Sequence, residues 1–282
     1  MTHVVDFVPA AAFSLEALAD LFARSFAEYF YPANVTAADM AWRVRVENID
    51  LWHSVVLVVG GEPAGLALLA LRPGRAWCGG FGVTLPHRGR GLSHRLITAL
   101  IERAREAQAP LLTLEVLSRN ERAIATYTRA GLRITRDLLI VEWRRPEGEP
   151  AAPAPTGVVE AEAATLLHHF HALHPVQAAW QRDLPSLLMR GPLAGFALGN
   201  PAAPAAYALV QPQAAGAARI VDLAAREAET AGQVLAALQA RFTRLSSINE
   251  PSDAPHMPAL AAAGFAEVDR QHDMEIVLSE RA

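Results

Sequence analysis

A chain of 282 residues, 52% of them hydrophobic by type, carries enough apolar material for about two packed domains. Its net charge of −4 argues against a general nucleic-acid binder, and a single cysteine, Cys78, rules out an intrachain disulfide and suits a reducing compartment. The start lacks the basic and apolar regions of a secretory leader and no apolar run is long enough to span a membrane, so a soluble cytoplasmic protein is the expectation.

The charge is uneven. Residues 1–146 hold 17 arginines against 14 acidic residues, and residues 147–282 hold 8 against 15. A polyanionic ligand would favour the first half.

In chain order, Val4–Phe7 reads as a short strand. Ser14–Phe30 reads as a helix with Leu15, Leu18, Leu21, Phe22, Phe26 and Phe30 along its apolar stripe, ended by Pro32 after the aromatic cluster Tyr29-Phe30-Tyr31. That cluster fits a core or a pocket wall, with a substrate-contacting role for Tyr29 or Tyr31 as the alternative. A second helix starts at Thr36, which pairs with Asp39 in a capping-box pattern. Ser54–Val59, Ala64–Leu71 and Ala76–Val83 read as three antiparallel strands, separated by Gly60-Gly61 and Pro73-Gly74 turns. The third strand holds Gly79, Gly80 and Gly82, and glycines inside a strand mark a bulge or a close approach.

Next comes the stretch that carries chemistry, Val83–Ala107. A strand ends at Pro86, a turn reads Arg88-Gly89-Arg90-Gly91, and a helix follows with Leu92, Leu96, Ile97, Leu100, Ile101 and Ala104 on one face. The first N–H groups of a helix have no internal partner, the macrodipole adds positive charge there, and glycines admit a phosphate to the backbone. A nucleotide P-loop is excluded, because the chain has no lysine, and the spacing is wrong for a dinucleotide GxGxxG. Leu111–Val116 is then a strand, Asn120–Ala130 a helix capped by Gly131, and Leu138–Trp143 a closing strand.

These residues carry a resemblance. Val83-Thr84-Leu85-Pro86 followed by Arg88-Gly89-Arg90-Gly91-Leu92-Ser93, then Leu114-Glu115-Val116, Asn120, Ala123, Tyr127 and Gly131-Leu132, resemble the two linked motifs of the GCN5-related N-acetyltransferase superfamily. Ser93 stands where that pattern has Gly or Ala, and Leu132 where it has Phe. The resemblance implies an α+β fold, a central mixed and mostly antiparallel sheet flanked by helices. It implies acetyl-CoA as co-substrate, no metal, and direct transfer of the acetyl group to a primary amine of a small molecule or peptide. The amides around Arg88, Gly89, Arg90, Gly91, Leu92 and Ser93 would take the pyrophosphate. Phe81, Gly82 and Val83 would hold pantetheine and the thioester carbonyl through their backbone, and Asn120 would contact the CoA arm. Tyr127 would protonate the leaving thiolate, and Glu115 would be the general base. A water chain, Asp39 and Glu28 are rivals for that base role. Cys78 reads better as a buried small residue than as a nucleophile. His87 and His94 flank the turn and read as solvated side chains, with a phosphate contact by either as the alternative. A CoA-responsive binding protein without turnover, or a transferase of another acyl group, are the alternative readings.

The second half opens with a Pro-rich linker, 147–156, that separates a domain at 1–146 from one at 157–282. Gly157–Leu173 reads as mostly helical. Leu193–Leu198, Ala205–Val210, Arg219–Ala224, Leu245–Asn249 and Asp273–Leu278 read as strands, with helices at Val234–Phe242 and Pro258–Ala263. This repeats the order of the first half. Matching Gly264-Phe265 to Gly131-Leu132 places Leu260 at Tyr127, Asp253 at Asn120 and Ile248 at Glu115. Glu227 and Glu229 fall where the Arg-Gly turn should be and would repel a pyrophosphate. The expectation is a tandem protein whose second domain has lost its motif, with one CoA per chain and an open oligomeric state. The histidines at 168, 169, 171 and 174 lack a carboxylate or cysteine to complete a metal set and read as solvated or core-edge.

Overall fold

A computed structural model describes residues 4–31 and 34–278, so the Pro32 helix stop lies outside the described residues. By contacts the chain forms two compact units, one made of residues 1–135 and 273–282, the other of residues 136–272.

The first unit begins with β1 (Val5–Pro9), α1 (Leu15–Ser25), α2 (Ala37–Val46), β2 (Ile49–Val59), β3 (Glu62–Arg72) and β4 (Arg75–Val83). It continues with α3 (Leu92–Glu106), β5 (Leu111–Leu117) and α4 (Glu121–Arg129). Strands β1 to β4 are an antiparallel run, and β5 joins β4 in parallel. Local chemistry explains the helix starts. Ser14 accepts from the Ala17 N–H (3.2 Å), and Thr36 and Asp39 close the expected capping box, with Asp39 accepting from Thr36 N–H at 2.9 Å. Helix α1 stops at Ser25, five residues before the expected end, and Glu28 turns into the left-handed region (φ 61°). The apolar face of α3 is buried as its spacing predicts: Leu96, Ile97 and Leu100 are fully enclosed over β2, β3 and β4.

The second unit repeats this order. It contains β7 (Val158–Glu162), α5 (Ala163–Leu167), α6 (Phe170–Leu173), α7 (Leu184–Met189), β8 (Ala194–Leu198), β9 (Ala206–Pro212), β10 (Ala217–Ala225), α8 (Ala228–Arg241), β11 (Arg244–Pro251) and α9 (Met257–Ala262). Its strands run antiparallel from β7 to β10, and β11 joins β10 in parallel. The expectation of helix from Gly157 is corrected at its start. Val158–Glu162 pairs with Ala194–Leu198 as an edge strand, and helix begins only at Ala163.

β6 (Arg133–Arg144) and β12 (Ala266–Val277) each begin in one unit and end in the other. In the first unit the end of β12 follows β5, anchored by Leu278 N–H to Pro110 O (2.8 Å), and Met274 enters the core. In the second unit the later part of β6 pairs antiparallel with β11. By contacts, then, the division falls inside strands and not at 147–156, a segment that forms no helix or strand. No helix among the described residues is long and apolar enough to cross a membrane.

Candidate active site

The site grows from a mismatch between two parallel strands. β4 and β5 pair only at Ala76–Leu112 and Trp77–Thr113, while the other edge of β4 stays in register with β3 as far as Val83. From Cys78 onward the β5-facing edge of β4 has no ladder partner in β5. Such an edge offers N–H and C=O groups to an extended ligand arm. A bulge supports the parting: Leu68 pairs with Gly80 and Leu69 with Cys78, so Gly79 is the extra residue. The neighbouring glycines answer to α1. A Cβ on Gly80 would lie 2.6 Å from the Phe22 ring, and one on Gly82 would lie 2.9 Å from Ser25. The glycine-rich strand therefore marks both a bulge and a close helix.

At the end of β4, Thr84 N–H and Oγ1 both donate to Ala64 O, at 2.8 and 3.1 Å, and Thr84 Oγ1 shares a 3.1 Å hydrogen bond with His87 Nδ1. The turn then passes through Gly89 (φ 73°) and Gly91 (φ 72°), both in the left-handed region. A Cβ at either would meet open space, so backbone conformation and not packing calls for glycine there. Gly91 caps α3 without any side-chain cap, and the first turn of α3 holds no acidic residue. Among the described residues, the amides of Gly89, Arg90, Gly91, Leu92, Ser93 and His94 make no hydrogen bond. Six consecutive donors at a helix N-terminus form an anion cradle. Arg90 is exposed beside it, and the Nδ1 of His94 is shielded without a partner. Arg88 differs from its neighbours, because its N–H donates to Leu85 O (3.2 Å) and its guanidinium to carbonyls outside the cradle.

Tyr127 is 6% exposed and packs edge-on to Phe81, with ring centroids 5.4 Å apart. Its hydroxyl has no protein hydrogen-bond partner among the described residues. Burial, with smaller contributions from Cys78 and Tyr29, pushes the phenol well above its ordinary value. It therefore remains a proton donor through the neutral and mildly alkaline range. Asn120 caps α4, with Oδ1 accepting from Ala123 N–H at 3.3 Å. The cap explains why this residue type stands there, and it leaves the amide Nδ2 for another acceptor. Phe81, Gly82 and Val83 lie on the portion of β4 that pairs with β3 but not with β5, and Leu92 and Ser93 are the first residues of α3.

Glu115 sits on the opposite face of β5 from Leu114 and Val116, which are buried with Tyr127 in the core. Its Oε2 accepts from Trp77 Nε1 at 2.7 Å. Close by, Arg43 donates to the carbonyl of the bulged Gly79 and pairs with Glu47 at 2.9 Å. Sequence reading did not single out Trp77, Arg43 or Glu47. Arg43 and Glu47 stand four apart on α2 and its C-cap, a spacing that signals only a helix-surface pair, and Trp77 comes from β4, so no local pattern brings the three together. Of the rival bases, Asp39 is committed to its capping box. The Cys78 thiol is pushed up to about 12, chiefly by burial, which keeps it protonated and inert.

The second unit lacks the cradle. Only Arg226 and Glu227 separate β10 from α8, against the eight residues from Thr84 to Gly91 in the first unit, and Glu229 lies in the first turn. The strand matching is otherwise close. β10 bulges at Val221, and the last parallel pair is Ile220–Ser247. Phe265 N–H bonds to Leu260 O as Leu132 N–H bonds to Tyr127 O, both at 3.0 Å. Where the strands part, Arg182 donates to Ser247 Oγ (2.8 Å) and pairs with Glu250 (2.7 Å), which also bonds Ser247 Oγ and His256. Arg182, Glu250 and His256 are all buried. Burial opposes the charge on Glu250, but Arg182, His256 and Ser247 together hold its carboxyl down at about 2. The histidine run scatters: His168 bonds Ala164 O, whereas His174 bonds Phe170 O and Asp222. Among the described residues no group of three or more His, Cys, Asp or Glu would hold a metal ion.

Residues 15–132 match the model of the acetyltransferase (GNAT) family. No curated protein matches the chain. Among solved structures, a tandem GNAT protein from the clavulanic acid biosynthesis pathway superposes with a TM-score of 0.71 at 19% identity, over 99% of this chain and 100% of that one. A GCN5-related N-acetyltransferase from Sphaerobacter thermophilus gives 0.70 at 16% identity, over 98% and 96%. Eis1 from Mycobacterium abscessus gives 0.59 at 17% identity, over 98% and 74%. At these identities the structures speak for the fold. Residues 15–132 thus match the GNAT family model, and the chain as a whole shares the fold of tandem GNAT proteins.

Proposed function

We propose that the GNAT domain transfers the acetyl group of acetyl-CoA directly to a primary amine of a small molecule or peptide. The observation that carries this reading is the run of six amides from Gly89 to His94 without a partner among the described residues, next to an opened strand pair and the largely buried ring of Tyr127. The amides of Gly89, Arg90, Gly91, Leu92 and Ser93 take the pyrophosphate. The free edge of Phe81, Gly82 and Val83 takes the pantetheine as an added strand and places an N–H on the thioester oxygen. Asn120 Nδ2 contacts the same arm.

In this geometry the amine nitrogen attacks the thioester carbonyl and a C–N bond forms. The developing oxyanion is met by a strand N–H, which is already oriented and costs no reorganisation. The C–S bond breaks, and Tyr127 gives its proton to the departing thiolate. A thiol of pKa about 8.5 is mostly protonated at neutral pH, so a proton given to the thiolate traps it and makes the transfer one-way, and a raised phenol pKa keeps the donor loaded. Glu115 accepts the proton lost by the amine, with Trp77 Nε1–H orienting its carboxylate. The second unit takes no CoA, because the helix turn is missing and the Arg182–Glu250 pair occupies the place where its strands part.

Thiol release from acetyl-CoA against a panel of primary amines tests the proposal. Turnover with at least one amine supports it. Stoichiometric binding of acetyl-CoA with no thiol release from any amine would support a binding protein instead, and preference for a longer acyl-CoA would change the donor.

A further inference from the structure

Arg88 occupies the first position of the Arg-Gly turn, where a phosphate ligand would be sought, yet its side chain is turned away. Nε donates to Val83 O at 2.9 Å, and one terminal nitrogen donates to Ser25 O and Ala27 O, each at 3.0 Å. Its own N–H is bonded to Leu85 O. The accepting carbonyls come from the end of β4 and the end of α1. The last carbonyls of a helix lack internal partners, and a cation there also meets the negative end of the macrodipole. A planar guanidinium serves several acceptors at once, which an ammonium on a flexible stem does less well.

The tethered segment leads into the site. Ser25 packs on Gly82, where a Cβ would lie 2.9 Å from it, and Ser25 Oγ is buried without a partner. After Ala27 the chain passes through the left-handed Glu28 and reaches Tyr29, whose N–H returns to Phe26 O at 3.0 Å. Phe22, Phe26 and Tyr29 form a ring ladder, with centroids 4.4 and 5.2 Å apart. The ladder starts at Phe22, which lies against Gly80, next to the Phe81 that packs on Tyr127.

We propose that Arg88 is a positioning residue that ties the end of α1 to the end of β4 and so fixes Tyr29 as the acceptor-side wall of the site, while supplying no ligand to the pyrophosphate. The inference rests on reading this unit as an acyltransferase and assigns one of its motif residues to the acceptor side. It makes the Arg-Gly turn a two-sided device. Its amides face the anion, and its first side chain holds the opposite wall.

The test uses the full chain as Arg88→Gln and Arg88→Lys, with acetyl-CoA calorimetry and amide hydrogen exchange. In Arg88→Gln the affinity for acetyl-CoA should stay within about threefold, while the amides of Phe26, Ala27 and Tyr29 exchange about tenfold faster or more at an unchanged melting temperature. Arg88→Lys, which keeps the charge, should fall between, and millimolar methylguanidinium should restore protection in Arg88→Gln. With the amine that turns over, the acceptor KM should rise and the acetyl-CoA KM should not. A fall of more than about tenfold in acetyl-CoA affinity, with protection at 26–29 intact in both variants, would make Arg88 a phosphate ligand and overturn the proposal. Unchanged exchange with unchanged affinity would overturn it too. A wild-type chain that binds no acetyl-CoA would defeat the acyltransferase reading alone, because the exchange measurement still reads the tie.

Discussion

Replacing Tyr127 by Phe removes a single oxygen from the core of the first unit. The ring stays against Phe81, and no protein hydrogen bond is lost, because the hydroxyl has no partner. Removing a polar atom that bonds no protein group is close to neutral for folding. The melting temperature should therefore hold, and acetyl-CoA affinity with it. Catalysis should not. A positioned general acid is typically worth about 10²–10⁴-fold, which at about 1.4 kcal/mol per decade is roughly 3–5.5 kcal/mol of barrier. The expected result is a fall of that size in kcat for thiol release, measured with an amine that the wild type acetylates. The pH profile adds a sign. Because burial raises the phenol pKa, Tyr127 stays protonated beyond its ordinary value, so the wild-type rate should show no alkaline loss from this group below about pH 10. Full activity in Tyr127→Phe would refute the acid role, and a parallel loss of acetyl-CoA affinity would mean that the hydroxyl binds ground state.

Glu115→Gln keeps an oxygen for Trp77 Nε1 but cannot take a proton. Turnover should drop about 10²-fold or more at neutral pH with stability retained, and an unchanged rate would return the base role to a water chain. In the second unit, Arg182→Ala would strand the buried Glu250 carboxylate and should cost about 3–5 kcal/mol by urea unfolding, with Arg182→Ala plus Glu250→Gln recovering part of it. The Glu250 carboxyl is depressed in the folded state to about 2, so its stabilisation is present above the unfolded value near 4.5 and is lost as pH falls toward 2. Glu250→Gln should flatten that acid limb in melts across the range, and an unaltered limb would assign it to other carboxylates.

The sequence carries the local devices of this fold well. The Thr36–Asp39 box, the buried stripe from Leu92 to Ala104 and the Gly131 stop after α4 are each written in a few adjacent residues, and each forms as read. The match of Leu260 to Tyr127 likewise follows from two glycine C-caps with the same bonding. Long-range features are not written that way. The exchange of strand ends between units depends on the partners of β6 and β12, which no spacing encodes. Val158–Glu162 has little alternation of its own and becomes a strand only because β8 offers an edge. The Trp77–Glu115 and Arg88–Ser25 contacts join residues 38 and 63 positions apart, and only the folded chain brings them together. The motif glycines have a related lesson. Gly89 and Gly91 are fixed by backbone angle, whereas Gly80 and Gly82 are fixed by a helix that sequence order places far away.

The central claim is that one acetyl-CoA binds per chain, on the amides from Gly89 to His94. Calorimetric titration of acetyl-CoA into wild type and Gly91→Asp tests it most directly. Asp tolerates the left-handed conformation better than most residues, so the variant should fold while placing a negative charge in the cradle. The account predicts one site per chain in the wild type and loss of binding in the variant. Two sites per chain, or unchanged affinity in Gly91→Asp, would contradict it.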